Sequence, residues 1–521
     1  MYLRRLCTPG LIFAVSTLLS AGLAACVRPA PDSPAWNPPI ADSTPGLPPA
    51  SLNAVTVTAS FHLPPTRIPG APILTPTPDA PRFLPTPRRG PETYVVQPGD
   101  TLGAIGLRYG VSLEALTQAN SLYNPNVLDV GQVLKIPLPT PQVTGPSFKI
   151  IPDSELVYGP MSILLDLEAF IRSKGGYLAI YQQDVDGDML NAAQIIRRVA
   201  QNYSVSPRLL LAVLEYRSGW LTNPNSLSPD PARLDAPLGV NDYWHSGLYR
   251  QLTWAANALN QGYYRWRAGA VSDWLLADGS VVPVDPSINA ATAGAQNMFA
   301  QLDDYPAWLQ DVSQHGLFAT YSQLFGYPFD QAIEPVVPVN LIQPPMQLPF
   351  GSGEIWAFTG GPHGGWDGGS AWAALDFAPP GEALGCVVSE AWVTAVADGL
   401  ILRAHNGAVV QDLDGDGYEQ TGWTVLYMHI ESRGRVRAGA YLQAGERIGH
   451  ASCESGLSSG THLHLARRFN GEWIPADGSV PFILDGWLSS GTGVEYDGYL
   501  TRNGVTVEAF DGDNPINQIQ R

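Results

Sequence analysis

The stretch Gly460-Thr461-His462-Leu463-His464-Leu465 carries two imidazoles separated by a single residue. On an extended strand, residues two apart project from the same face, so His462 and His464 can converge on one point. Neighbouring segments such as Trp392-Val393-Thr394-Ala395-Val396 and Trp423-Thr424-Val425-Leu426-Tyr427 lie among glycines and have strand character, which predicts a mainly-β C-terminal domain. Six of the nine histidines fall here: His363, His405, His429, His450, His462 and His464. A catalytic zinc site takes about three protein ligands and keeps a fourth position open. The segments Thr359-Gly360-Gly361-Pro362-His363 and Ala374-Leu375-Asp376-Phe377-Ala378-Pro379 supply a further imidazole and a carboxylate. His405 and His450 read as isolated histidines in Gly-rich loops.

With Ala397-Asp398-Gly399, Tyr427-Met428-His429 and Cys453 ahead of the final His pair, the region from Gly351 to Trp487 resembles the lysostaphin-type zinc metallopeptidases. In many members the first His precedes the Asp by four residues. Trp372 occupies that place here, and the longer spacing from His363 to Asp376 is similar to the staphylolysin and beta-lytic endopeptidase branch. The resemblance implies an antiparallel-sheet peptidase domain over 351–521. It implies one Zn2+ held by His363, Asp376 and His464, with His462 and His429 as the catalytic imidazoles, and it supplies peptidoglycan stem or cross-bridge peptides as substrate. A His-Glu-x-x-His helix is absent from the sequence, so a Glu-base mechanism of that kind is not available. Either His462 or His429 can be the general base.

The 521 residues exceed what one hydrophobic core usually organises, and 53 Gly with 47 Pro at only 15% charged residues suggest extracellular modules and connectors. A formal net charge of -18 excludes nucleic acid as a natural partner. Arg4 and Arg5 precede an apolar stretch from Leu11 to Leu23 that ends in Leu23-Ala24-Ala25-Cys26, which looks like a lipoprotein signal. The expectation is a signal peptide over 1–25, lipidation at Cys26, and a membrane-anchored location in the cell envelope. Residues 26–91 read as a Pro-rich disordered tether. Cys7 would leave with the signal and Cys26 would carry lipid. Cys386 and Cys453 then remain, and in an oxidising exterior they read as one disulfide.

Between Tyr94-Val95-Val96 and Gly131-Gln132-Val133-Leu134-Lys135-Ile136-Pro137 the chain resembles a LysM domain, assigned to 92–138. The resemblance implies a small strand-helix-helix-strand fold and contact with glycan through two loops, represented by Gly99, Asp100, Thr101 and Asn124. Residues 150–333 carry apolar positions at helical spacing and predict a mostly α-helical domain. Its segment from Val205 to Gly219 resembles the catalytic-helix region of lysozyme-like lytic transglycosylases, but Arg217 stands where their acid Glu belongs. A guanidinium cannot donate the required proton, so this domain is expected to be noncatalytic.

A Pro-rich linker is expected over 334–350. Within the last domain, Asp412, Asp414 and Asp416 alternate like the first half of an EF-hand loop, yet the twelfth position is Trp423 rather than a bidentate Glu. Bound Ca2+ and a plain acidic hairpin turn both fit that pattern. The whole reads as a multidomain, wall-targeted zinc endopeptidase. The rivals are a noncatalytic wall-binding lipoprotein that recruits other hydrolases, and a glycan-cleaving enzyme acting through the helical domain. The sequence leaves the oligomeric state open.

Overall fold

The structure is a computed structural model describing residues 79, 81–82, 90–97, 100–109, 111–138, 144–223, 231–381, 385–456 and 458–521. The signal segment, Cys26, nearly all of the tether and Gly99 lie outside the described residues. Among those described, no helix is long and apolar enough to cross a membrane.

The first module pairs strand β1 (Glu92–Val95) antiparallel with β2 (Val133–Ile136) and places helices α1 (Leu102–Tyr109) and α2 (Leu113–Ala119) between them in sequence. Ser112 caps α2 by accepting the Ala115 N–H. Leu102, Ile105, Leu116, Leu134 and Ile136 form its core. Asn120 ties α2 to β2, donating to Leu116 O and Lys135 O and accepting from Lys135 N.

The middle domain is helical, as expected, with two small hairpins, β3 (Gln182–Val185) with β4 (Asp188–Asn191) and β5 (Asp273–Leu275) with β6 (Val281–Pro283). Its helices are α3 (Leu167–Lys174), α4 (Ala192–Tyr203), α5 (Pro207–Ser218), the short α6 (Pro231–Leu234), α7 (Leu248–Arg267), α8 (Ala290–Ala300), α9 (Tyr305–Asp311) and α10 (Leu317–Phe325). Asn191 starts α4 with a reciprocal capping box to Gln194. Gly175, in the left-handed region at φ 69°, ends α3. The aromatic residues Tyr263, Tyr264 and Trp266 are buried in the core of this domain, whereas Trp244 is exposed.

The last domain is built on an antiparallel sheet of strands β7 (Ile355–His363), β8 (Ala374–Ala378), β10 (Gly399–His405), β11 (Ala408–Asp412), β12 (Trp423–Met428), β13 (Tyr441–Leu442), β15 (Leu463–Phe469), β16 (Glu472–Trp473) and β21 (Gln518–Gln520). The spatial order is β13-β10-β11-β12-β15-β8-β7-β21, with β16 paired to β15. Between them in the chain run β9 (Trp392–Thr394), which pairs with β14 (Arg447–His450), and the small sheet β17 (Ile483–Leu484), β18 (Trp487–Gly491), β19 (Gly498–Arg502) and β20 (Val505–Glu508). Cys386 and Cys453 are joined by a disulfide with Cα atoms 5.7 Å apart at a sequence separation of 67.

Both faces of the large sheet are covered. Leu375, Phe377, Val409, Val425, Tyr427, Leu463 and Leu465 point into the domain's own core. Their alternating neighbours Ala374, Val410, Leu426, Met428 and Ala466 instead join the core of the helical domain. The two domains therefore share a continuous apolar interior. Polar contacts reinforce it: Glu419 bridges the guanidinium groups of Arg403 (2.6 Å) and Arg468 (2.9 Å), and Arg468 donates to Gln201 O at the C-terminal end of α4. Cations are favoured at a helix C-terminus, where the last carbonyls lack intrahelical partners.

The stretch expected as a linker is packed in its second half. Met346, Leu348 and Phe350 are buried in the peptidase-side core, Gln347 N donates to Val396 O, and Leu348 N donates to the Asp485 carboxylate. Prolines at this position give an extended, rigid segment whose intervening apolar side chains are free to dock.

Candidate metal centre

Strand register creates the site. Across the β8–β15 ladder, Asp376 stands directly opposite His464, so both side chains leave the sheet on the same face. The β7–β8 pairing slips twice, between Phe358 and Gly360 and again between Gly360 and His363, before His363 pairs with Ala374. Such irregularities bend a strand and re-aim its side chains. Here they bring His363 over Asp376.

The resulting triangle is tight. His363 Nε2 lies 2.9 Å from His464 Nδ1, and Asp376 Oδ1 lies 3.2 Å from the former and 3.3 Å from the latter. The outer nitrogens settle where the protons are: His363 Nδ1 contacts Gly361 O at 2.8 Å, and His464 Nε2 contacts Gly365 O at 3.1 Å. A carbonyl oxygen only accepts, so each ring donates there and, when neutral, turns a lone pair toward the other. Asp376 Oδ1 is buried with no hydrogen-bond partner. Two lone pairs and an orphaned carboxylate oxygen facing one point constitute an arrangement that a cation relieves, and the donor set of two imidazoles and one carboxylate suits zinc.

The electrostatics agree in direction. Burial works to raise the Asp376 carboxyl, but the surrounding imidazoles, His363 foremost, hold it well below the usual carboxylate range. Burial also works to lower His363, and the Asp376 carboxylate overcomes this and raises it.

Two more imidazoles stand beside the triangle. His462 Nδ1 contacts Gly460 O at 2.8 Å, which leaves Nε2 as its acceptor, 3.8 Å from Asp376 Oδ2. His429 Nδ1 contacts Glu454 O at 3.1 Å, and its ring centroid is 4.4 Å from that of His462. Burial, with His462 and His464 nearby, pushes His429 down to about 3, so its ring is neutral. His429 also has φ 61°, a left-handed conformation uncommon for a residue with a side chain and typical of strain held at working sites.

Tyr496 was not legible in advance. It stacks on His363 with centroids 4.3 Å apart, yet it sits in an unremarkable Glu-Tyr-Asp-Gly turn distant from every motif. The supporting carbonyls of Gly361, Gly365, Gly460 and Glu454 were equally invisible, because any residue type supplies a carbonyl. His405 and His450 lie outside the cluster; His450 packs on Trp392 at 3.9 Å.

The other candidates are placed as follows. Asp412, Asp414 and Asp416 have carboxylate oxygens within 4.8 Å of one another. Asp412 accepts from the N–H groups of Asp414, Gly415 and Gly417, and Asp416 accepts from Tyr418 N and Thr421 Oγ1. Asp100 accepts from Tyr94 Oη and Gln97 N, Thr101 Oγ1 accepts from Ala104 N, and Asn124 accepts from Asn126 N. In the helical domain, Arg217 is paired with Asp303 at 2.9 Å, and Glu215 accepts from Leu221 N and Thr222 N.

Comparison with known proteins assigns the three folded parts. Residues 94–137 match the LysM domain, residues 149–337 match "LasA, N-terminal domain", and residues 381–475, which include His429, His462 and His464, match peptidase family M23. The C-terminal domain is an M23 peptidase. The chain is 24% identical to Protease LasA of Pseudomonas aeruginosa over 352 residues, covering 63% of this chain and 75% of that one. It is 26% identical to the beta-lytic metalloendopeptidase of Lysobacter enzymogenes over 165 residues, covering 30% of this chain and 89% of the relative. Among solved structures, the M23 metalloprotease Pseudoalterin is 24% identical, with a TM-score of 0.28, and the alignment covers 34% of this chain and 98% of that one. The M23 domain makes this chain a metalloendopeptidase, and residues 149–337 ahead of it match the LasA N-terminal domain.

Proposed function

We propose that the chain is a zinc endopeptidase of the cell envelope that hydrolyses peptide bonds in peptidoglycan stem or cross-bridge peptides. It would be held at a membrane through lipid on Cys26 and brought to its polymer by the LysM domain. The observation that carries the catalytic part is the triangle of His363 Nε2, Asp376 Oδ1 and His464 Nδ1, whose edges are 2.9–3.3 Å.

Those three residues would hold the ion, and zinc bound there would supply Lewis-acid polarisation of the scissile carbonyl and an acidified water. The protein does the rest. Gly361 O and Gly365 O fix the two ligand rings so that their lone pairs, not their protons, face the ion. His462 and His429 both carry their proton on Nδ1 against a carbonyl, which leaves Nε2 of each ring open to take a proton from the attacking water. The same pair returns a proton to the departing amine nitrogen. Burial keeps His429 neutral before the reaction, so that ring starts in its accepting state.

A glycosidase reading gains no support, since Arg217 is committed to Asp303 and Glu215 to main-chain N–H groups. The acidic turn at Asp412, Asp414 and Asp416 is a secondary candidate for Ca2+: N–H groups already occupy both Asp412 oxygens and Asp416 Oδ1, while Asp414 Oδ1 is buried without a hydrogen-bond partner. Purified peptidoglycan incubated with the zinc-loaded protein separates the readings. New amine groups are the expected product, and reducing or anhydro-sugar ends without amines would contradict the proposal.

A further inference from the structure

The loop that joins the ligand His363 on β7 to the ligand-bearing strand β8 does not rest on the peptidase domain alone. At its start, Gly365 O accepts from His464 Nε2 and so fixes the second ligand ring. Further along, Gly369 N donates to Asn257 Oδ1 on α7 at 2.7 Å, and the loop approaches that helix so closely that a Cβ on Gly369 would fall 2.1 Å from Asn257 O. Between these points, Asp367 Oδ2 accepts from Tyr203 Oη on α4 at 3.0 Å. Gly365 itself lies against Trp473, where a Cβ would fall 2.6 Å from the ring, and the Trp473 indole donates to Tyr203 O. Two helices of the middle domain thus grip one loop, and that loop presents the carbonyl that orients a metal ligand.

We propose that Asn257 and Tyr203 of the LasA-type domain are positioning residues for the metal centre of the peptidase domain, acting through the 364–370 loop on the orientation of His464. The proposal rests on the reading of His363, Asp376 and His464 as ligands. It assigns the helical domain a part in holding the metal site of its neighbour. Groups that orient ligands through hydrogen bonds typically change metal affinity about 10–100-fold when removed. The middle domain reaches the loop through two hydrogen bonds, and Tyr203 O holds the Trp473 indole that packs on Gly365, which is a route of that kind.

The test uses the full chain and the metal alone. Zinc affinity is measured by competition with a chromophoric chelator, and the visible absorption of the cobalt-substituted protein reports ligand geometry. Asn257→Leu removes the acceptor while keeping the branched heavy-atom skeleton, Tyr203→Phe removes a single oxygen, and Asn257→Asp keeps the accepting oxygen. Asn257→Leu and Tyr203→Phe are each expected to weaken zinc about 10-fold and to alter the cobalt spectrum, while Asn257→Asp returns both toward the wild-type values. Should Asn257→Leu fail to fold, Tyr203→Phe carries the same expectation. Wild-type affinity and spectrum in Tyr203→Phe or in folded Asn257→Leu would overturn the proposal, as would an Asn257→Asp protein no better than Asn257→Leu. His464→Ala is run beside them. If it binds zinc as tightly as the wild type, the ligand assignment itself fails, and that outcome is distinct from a normal His464→Ala loss with unaffected Asn257 and Tyr203 variants.

Discussion

Nε2 of His363 and Nδ1 of His464 lie 2.9 Å apart, each ring having given its other nitrogen to a main-chain carbonyl. With both rings neutral and no cation between them, two such lone pairs beside a buried carboxylate repel. Metal binding is therefore expected to stabilise the fold, by about 4 kcal/mol when free zinc stands at roughly a thousand times its dissociation constant. Differential scanning calorimetry with and without zinc measures this, and Asp376→Ala should abolish the zinc-dependent rise in Tm.

The His429–His462 pair should be separable from metal binding. His462→Ala and His429→Ala are each expected to lower kcat/KM about 10²–10⁴-fold, the usual span for lost general acid-base catalysis. Metal content stays at the wild-type level, because neither ring belongs to the triangle. Elemental analysis beside kinetics on a peptide substrate checks both halves of the statement.

Glu419 lies between Arg403 and Arg468, with all three side chains buried at the domain interface. Removing it in Glu419→Ala strands two guanidinium groups, and breaking a buried pair in this way costs about 3–5 kcal/mol. Chemical denaturation at pH 7 measures the loss. Burial works to raise the Glu419 carboxyl, but Arg403 and Arg468 hold it below its ordinary value of 4.5. A lowered carboxyl stabilises the fold fully above its unfolded value and loses that contribution as the pH falls through the folded one. The stability gap between wild type and Glu419→Gln should therefore be constant near neutrality and shrink as the pH drops below 4.5.

Phe350 tests whether residues 343–350 belong to the peptidase core. Its ring is fully buried and stacks on Trp356 with centroids 5.0 Å apart. Phe350→Ala should cost about 3–5 kcal/mol, as large-to-small core changes of this type do. A free linker would show no change in the denaturation midpoint.

The strand placement of His464 was legible because a period of two is local information; His462 stands one residue before β15, in an isolated bridge to Ser452, and Asp376 came through the resemblance to the lysostaphin-type peptidases. What sequence could not give was which elements cover the face those residues share. Trp423 to Met428 and Leu463 to Arg468 are buried at every position, a sign that both faces are covered, but nothing in the pattern names the helical domain as the second cover. Chain order suggested beads on a string. Long-range packing instead placed α4 and α7 against the sheet face that carries Asp376 and His464. The Pro-rich composition of 334–350 likewise concealed Met346, Leu348 and Phe350, since prolines mark the absence of a helix and say nothing about docking.

The central claim is that one divalent ion, held by His363, Asp376 and His464, drives peptide hydrolysis in the wall polymer. Amine release from purified peptidoglycan by the full chain measures it directly, with the protein as isolated, after chelation, after zinc is returned, and as His464→Ala. Release is expected in the first and third samples and absent from the second and fourth; equal release in all four would contradict the account.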